Sequence, residues 1–281
     1  MGDLAWIGDP PPLPPRPADG HKGTFGTVLV AGGSDLMPGA PALCATAALR
    51  SGAGLAKVFA APSVLPQVLA HQPGATGVAQ DQLDRHRGDG KTVLAVGPGW
   101  GGGPEVGAWL EAFLNWPNPL VLDADGLNAL AERGAARPAG APWVITPHPG
   151  EFRRLAGALG LTGLDPIDAD ARPAAAAALA RATDAVVLLK GRHTVVTDGR
   201  RAYRNPTGHV VLATAGTGDV LTGLIAGLIA QGAAPFDAAA AGAWCHGKAA
   251  ERWADRHGSR GMLAADLAHA LPSVFKDYGR G

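Results

Sequence analysis

The sequence predicts an α/β chain, with a mostly parallel central sheet covered by helices on both faces. Three observations carry that prediction. Short apolar runs alternate with longer Ala-rich stretches of helical period almost throughout. The runs are apolar along nearly their whole length, as strands buried on both faces are. Most of them end in Gly, Asp, His or Lys, the residue types expected where strands open onto a binding edge.

The strand runs are residues 27–31, 56–60, 92–96, 120–123, 143–146 and 185–189. Stretches 194–197 and 202–204 flank Asp198-Gly199-Arg200, a hairpin turn signal. Helices are expected at 41–52, 62–70, 105–114, 127–133, 152–158, 173–183, 237–256 and 262–271. A further helix starts at Asp219, where Val220, Leu221, Leu224, Ile225, Leu228 and Ile229 recur on one face. Thr217 or Asp219 is the expected cap. No solenoid repeat is present. Residues 1–20 read as a proline-rich N-terminal arm and 21–281 as a single domain. The proline run 10–17 suits an extended polyproline lead-in packed on the surface, or a docking ligand for a partner.

Length and charge narrow the function. The chain has 281 residues, with 24 Lys+Arg against 24 Asp+Glu, so no global field favours nucleic acid or an anionic membrane surface. The two cysteines, Cys44 and Cys245, lack metal-binding spacing and read as buried free thiols, which fits a reducing cytoplasm. Residues 1–20 lack the basic start and apolar core of a signal peptide. The apolar stretch 221–230 is too short and Gly-rich to span a bilayer. No metal site of the protein's own is expected.

Chemistry gathers around residues 205–231, NPTGHVVLATAGTGDVLTGLIAGLIAQ. The segment 213–218 is small and Gly/Thr-rich, so it can turn tightly and expose its N–H groups. It feeds an apolar helix, whose N-terminal dipole and free amides suit a phosphate or another developing anion. Asp219 adds a carboxylate there. A carboxylate is a poor phosphate ligand but a good base for a hydroxyl. The pair points to phosphoryl transfer to an alcohol, against the alternative of an ordinary glycine loop with an Asp cap.

Other strand ends contribute Gly32-Gly33-Ser34, the glycines of 97–103, His148 with Glu151, and Lys190. Each has a plainer reading beside the functional one. The 97–103 stretch is either a flexible turn or a place where phosphate or ribose approaches backbone. His148 is a surface residue or a ligand contact, and Lys190 a snorkelling side chain or a site cation. Asp123 and Asp125 are turn residues or hold Mg²⁺ through water. Lys22 and Arg192 are further cations available to phosphate. The sequence has no GxxxxGK[ST], no GxGxxG opening a helix after the first strand, and no GxSxG. P-loop, dinucleotide-fold and α/β-hydrolase readings are thereby disfavoured.

HKGTFGTVLVAGGS (21–34), GAPALCATAALRSGAG (39–54), VGPGWG (96–101), LDADGLNAL (122–130), ITPHPGE (145–151), LLKGRHTVV (188–196) and NPTGHVVLATAGTGDVLTG (205–223) occur in this order. Together they resemble the ADP/ATP-dependent NAD(P)H-hydrate dehydratase family, a branch of the ribokinase-like superfamily, over about residues 20–275. The resemblance implies a ribokinase-like three-layer α/β/α fold. It implies dehydration of the S-epimer of hydrated NADH or NADPH, through phosphorylation of the ring hydroxyl by ADP or ATP with Mg²⁺ and loss of phosphate. Asp219 would be the base and Gly216 and Gly218 the anion hole, with Thr217 also at the nucleotide. Lys190, Gly191, Arg192, His193 and Thr194 would hold the nucleotide. Ala40, Gly99, Gly101 and His148 would line the hydrated-dinucleotide site, together with Asp219. A homo-oligomer, with a tetramer suggested, and cytoplasmic location are also implied.

Two departures stand out. His209 occupies a position where family members often carry Asn, which is expected to alter nucleotide contacts. The partner domain that epimerises the R form is not seen before residue 20, so either a separate epimerase or unaided equilibration of the R-epimer is expected. The competing reading is a ribokinase-like kinase for a thiazole or pyrimidine alcohol, which would release a stable phosphorylated product. A third is a non-catalytic nucleotide-binding protein.

Overall fold

The computed structural model describes residues 4–135 and 141–278; the first three residues of the N-terminal arm lie outside them. Ten strands form one sheet: β1 (Ala5–Ile7), β2 (Thr27–Ala31), β3 (Leu55–Phe59), β4 (Thr76–Gly77), β5 (Thr92–Val96), β6 (Leu120–Leu122), β7 (Trp143–Ile145), β8 (Val186–Leu189), β9 (Val195–Thr197) and β10 (Arg201–Arg204). Their order is β1-β10-β9-β8-β7-β6-β5-β2-β3-β4. Every neighbouring pair is parallel except the two made by β9, which runs against both β8 and β10. The Asp198-Gly199 turn accounts for that reversal: Asp198 Oδ1 accepts the N–H groups of Arg200 and Arg201 at 3.0 and 2.9 Å.

Nine helices cover the sheet among the described residues: α1 (Gly39–Arg50), α2 (Leu65–His71), α3 (Pro104–Leu114), α4 (Asp125–Glu132), α5 (Pro149–Ala158), α6 (Arg172–Thr183), α7 (Thr217–Ala230), α8 (Pro235–His257) and α9 (Ala264–Asp277). Alternation along each strand divides the core. Val28 and Val30 of β2 face a cluster shared with α1, α2, α7, α8 and α9. Leu29 and Ala31 face the other, shared with α3, α4, α5 and α6. The result is the three-layer α/β/α arrangement.

Four details differ from the sequence reading. β1 and β4 carry no extended apolar run to announce them. β1 nevertheless lies along β10, with Ala5 opposite Arg201, so the arm begins as an edge strand before its proline run. The arm is then held by Arg16, whose Nη1 donates to the Gly52 carbonyl at 2.7 Å, and by the Tyr278 hydroxyl, which donates to the Pro11 carbonyl at 2.6 Å. Helix α9 continues to Asp277, past the expected end at 271, with Pro272 inside it. Helix α5 starts at Pro149 because His148 and Glu151 form a reciprocal N-terminal cap.

Candidate active site

Helix α7 begins differently from the expected cap. Its N-cap is Gly216, in the left-handed region at φ 87°, and no side chain caps it. A Cβ on Gly216 would stand 2.7 Å from Leu43 Cδ1 and 3.0 Å from Ala264 Cβ, so space and backbone conformation both favour glycine. The Thr217 hydroxyl instead donates backwards, to the Leu212 and Thr214 carbonyls at 2.9 and 3.0 Å. That bracing leaves amides exposed. Among the described residues the N–H groups of Gly216, Gly218 and Asp219 meet no acceptor, whereas that of Thr217 reaches the Thr214 carbonyl at 3.4 Å. Three unfilled donors at a helix N-terminus make an anion-receiving edge.

Asp219 lies in the first turn of α7. Its carboxylate has no hydrogen-bond or ion-pair partner among the described residues. Burial pushes its pKa up, the Asp123 and Asp125 carboxylates add to the rise, and Lys190 opposes it; the outcome is about 7. A carboxyl group tuned to that range can take a proton near neutral pH.

Beneath it lies a charged hub. Asp123, 1% exposed at the end of β6, accepts from Lys190 Nζ at 2.6 Å through one oxygen and from the Thr222 hydroxyl at 2.8 Å through the other. Lys190 Nζ also lies 3.7 Å from Glu151 Oε2. Burial works against the lysine's charge, but Asp123 and Glu151 outweigh it and hold its pKa above the ordinary value. A Cβ placed on Gly218 would be 3.5 Å from Asp123 Oδ2 and 3.7 Å from Lys190 Nζ, so the hub sits directly against the amide loop.

Each oxygen of Asp123 already accepts one hydrogen bond, and Asp125 Oδ2 accepts the Gly101 N–H at 2.8 Å. No cluster of three His, Cys, Asp or Glu suits a metal among the described residues. A divalent cation that acts here would come with the phosphates it accompanies.

The remaining sequence candidates fall into two groups. A Cβ on Gly99 would meet Ala40 Cβ at 2.8 Å, and one on Gly101 would meet Ser34 Oγ at 3.4 Å; Ala40, Gly99 and Gly101 thus share one wall. His148 stands at the α5 start, with Nδ1 accepting the Gly150 N–H at 2.9 Å. Its backbone N–H donates to Glu151 at 2.8 Å. Burial first, then Lys190 and Arg154, keep the His148 imidazole below its ordinary pKa, which favours the neutral ring. Gly191, Arg192, His193 and Thr194 form the β8–β9 connection, closed by the Thr194 hydroxyl donating to the Gly191 carbonyl at 3.0 Å. Lys190, the residue before Gly191, brings its charge to bear on Asp219. Lys22 is misplaced as a phosphate cation: its carbonyl abuts Gly54, at the amino ends of β2 and β3, the edge opposite the site.

A family model described as NAD(P)H-hydrate dehydratase (Carb_kinase) matches residues 28–273. The chain belongs to the NAD(P)H-hydrate dehydratase family. Among relatives, the bifunctional NAD(P)H-hydrate repair enzyme of Moorella thermoacetica is 43% identical over 94% of this chain and 52% of that protein. The chain spans about half the length of the bifunctional relatives it matches. A crystal structure of the ADP/ATP-dependent NAD(P)H-hydrate dehydratase from Bacillus subtilis, co-crystallised with ATP/Mg²⁺, superposes with TM-score 0.80 at 36% identity, covering 94% of both chains. A ribokinase-like superfamily protein from Enterococcus faecalis shares the fold, with TM-score 0.82 at 24% identity over 99% and 97% of the two chains. The ribokinase-like fold class expected from the sequence is therefore the one observed.

At His209 the structure shows a local role. His209 Nδ1 accepts the Val211 N–H at 3.3 Å, capping a short 3₁₀ turn as an Asn side chain can.

Three contributors, Arg172, Thr222 and His246, escaped the sequence reading. Arg172, on α6, donates to the Arg192 carbonyl at 2.7 Å and holds the β8–β9 connection from below. Thr222 sits one turn beyond Asp219 on an apolar helix, where a lone threonine gives no signal. His246 of α8, buried, contacts the Thr217 carbonyl through Nε2 at 2.8 Å. Ser34 Oγ and Trp100 Nε1 are buried beside the Ala40–Gly99–Gly101 wall and have no hydrogen-bond partner, which leaves donors there for a ligand.

Proposed function

We propose that the protein dehydrates the S-epimer of hydrated NADH or NADPH at the expense of ADP or ATP, restoring the reduced dinucleotide. The observation that carries the reading is the juxtaposition at the start of α7: open amides at Gly216, Gly218 and Asp219, with an unpaired carboxylate pushed up to about 7 beside them. The names of the family relatives support the substrate.

The chemistry runs in two steps. Asp219 takes the proton of the ring hydroxyl as its oxygen attacks the terminal phosphorus of the nucleotide. The phosphorus–oxygen bond to the departing nucleotide breaks, and the open amides receive the developing charge. The ring carbon–oxygen bond then breaks and phosphate leaves, as the neighbouring ring carbon gives up a proton to form the double bond. Phosphorylation makes the elimination easy because phosphate is a far better leaving group than hydroxide. Mg²⁺ bound to the nucleotide would supply charge shielding of its phosphates.

In this reading Gly191, Arg192, His193 and Thr194 contact the nucleotide and Lys190 supplies charge beneath it. Ala40, Gly99, Gly101 and His148 border the hydrated dinucleotide. The test is direct. With Mg²⁺, hydrated NADH and either ADP or ATP, absorbance at the reduced-nicotinamide band should rise. Asp219→Asn should lower kcat at least about a hundredfold, the scale of a positioned base, while nucleotide binding survives. A phosphorylated product that accumulates without the absorbance change would point to a simple kinase.

A further inference from the structure

The hub beneath the amide loop does more than fill space. Asp123 is buried, yet it gives one oxygen to Lys190 at 2.6 Å and the other to Thr222 at 2.8 Å. Thr222 lies three residues after Asp219 on α7, hence on nearly the same helical face. Lys190 extends from the end of β8 and Asp123 from the end of β6, with β7 between them in the sheet. One carboxylate therefore joins two strand ends to the helix that carries Asp219. Its charge also lies against Gly218, the residue just before Asp219.

We propose that Asp123 is a positioning residue for Asp219: it ties the start of α7 to the sheet through Thr222, and its negative charge keeps Asp219 able to take the hydroxyl proton. The proposal rests on Asp219 being the base. Other groups facing this end of α7 are Cys44 from α1, Asp125 from α4, His148 and Glu151 from α5, Lys190 from the end of β8, and His246 from α8. Among the charged members, Asp123 and Asp125 disfavour a second negative charge at Asp219 and Lys190 favours it. The two members of one ion pair thus push Asp219 in opposite directions. A merely structural ion pair has no such signature, because loss of either partner would then have the same effect.

The experiment is the pH profile of kcat/KM for the wild type and five variants. The wild type should lose activity below an apparent pKa of about 7. Asp219→Asn should abolish this acidic limb; a limb that survives overturns the base assignment itself, whatever Asp123 does. With that assignment standing, Asp123→Asn should move the limb down by about one pH unit and lower the plateau, since a weaker base is a poorer proton acceptor. Lys190→Gln should move it up. Thr222→Val should lower kcat without moving the limb or the nucleotide KM, and Thr222→Ser should restore kcat. An unmoved limb in Asp123→Asn, or movement in the same direction for both partners, overturns the proposal. If Asp123→Asn does not fold, the decision passes to Lys190→Gln, whose limb must rise, and to rescue of kcat by Thr222→Ser; failure of either overturns it.

Discussion

The two faces of the sheet are built from different materials. Under α3–α6 the strands present Leu29, Leu94, Leu120, Leu122, Ile145 and Leu189. Phe59, Trp100, Trp109, Phe113 and Trp116 add a run of ring contacts with centroids 5.3–6.3 Å apart. Under α1, α7, α8 and α9 the strands present mainly Val and Ala; α1 and α8 answer largely with Ala, α7 and α9 with Leu, Ile and Ala, and α7 adds glycines where it meets α1. There backbones nearly touch: Gly223 of α7 lies against the Cys44 carbonyl, and Gly227 against the Ala48 backbone of α1 and the hydroxyl of Ser51 just beyond that helix. Large side chains fill volume and can adjust by changing rotamer. Backbone against backbone leaves nothing to adjust. Asp219 rides on the helix held in the second way, so both faces stabilise the fold but one of them also fixes the geometry of the site.

That contrast can be broken by changing each face once. Leu110→Ala, fully buried on α3, should cost about 3 kcal/mol of stability through the cavity it leaves. It should leave kcat of the folded protein essentially unchanged; denaturant unfolding and steady-state assays at saturating substrate measure the two. Gly223→Ala should cost at least as much, about 3 kcal/mol, because the added methyl overlaps the Cys44 backbone and the helix propensity alanine recovers offsets only part of it. Its kcat should also fall about tenfold, since α7 must shift to make room and Asp219 shifts with it. Equal effects on kcat from the two variants would erase the distinction between the faces.

The layered sheet was legible because buried parallel strands announce themselves as unbroken apolar runs; the ranges 27–31 and 92–96 coincide with β2 and β5. β1 and β4 were not, because a three-residue edge strand and a two-residue strand gain their identity from the neighbours they pair with. In the site, the glycine loop and Asp219 stood out by local chemistry and family likeness. The Asp123–Thr222 bond spans 99 residues of sequence, and Arg172 reaches Arg192 from another helix. Such contacts are products of tertiary packing and leave no local pattern. The cap of α7 was misjudged for a related reason: the Thr217 hydroxyl had two carbonyls behind it to satisfy, and a left-handed Gly216 took the cap position instead.

The smallest expected effect separates what burial does to the two groups bracketing the α7 start. Burial and the neighbouring carboxylates raise Asp219 from 3.8 to about 7, so the native state holds a proton there that the unfolded chain releases. Stability from that source is present below pH 3.8 and lost as pH rises through about 7. His246 is opposite in sign. Burial lowers it from 6.5 to about 4, so the unfolded chain binds the extra proton, and stability is lost as pH falls from 6.5 towards 4. Between these limits the two slopes offset one another. Asp219→Asn removes the first and leaves the second. The variant should therefore gain stability more steeply than the wild type as pH rises from about 4 to 6.5, and stand above it beyond pH 7. Urea midpoints across that range measure the difference. A gap that does not vary with pH would mean that the native fold exerts no pull on the Asp219 proton, and the small-residue face would then hold an ordinary carboxylate in place rather than a tuned one.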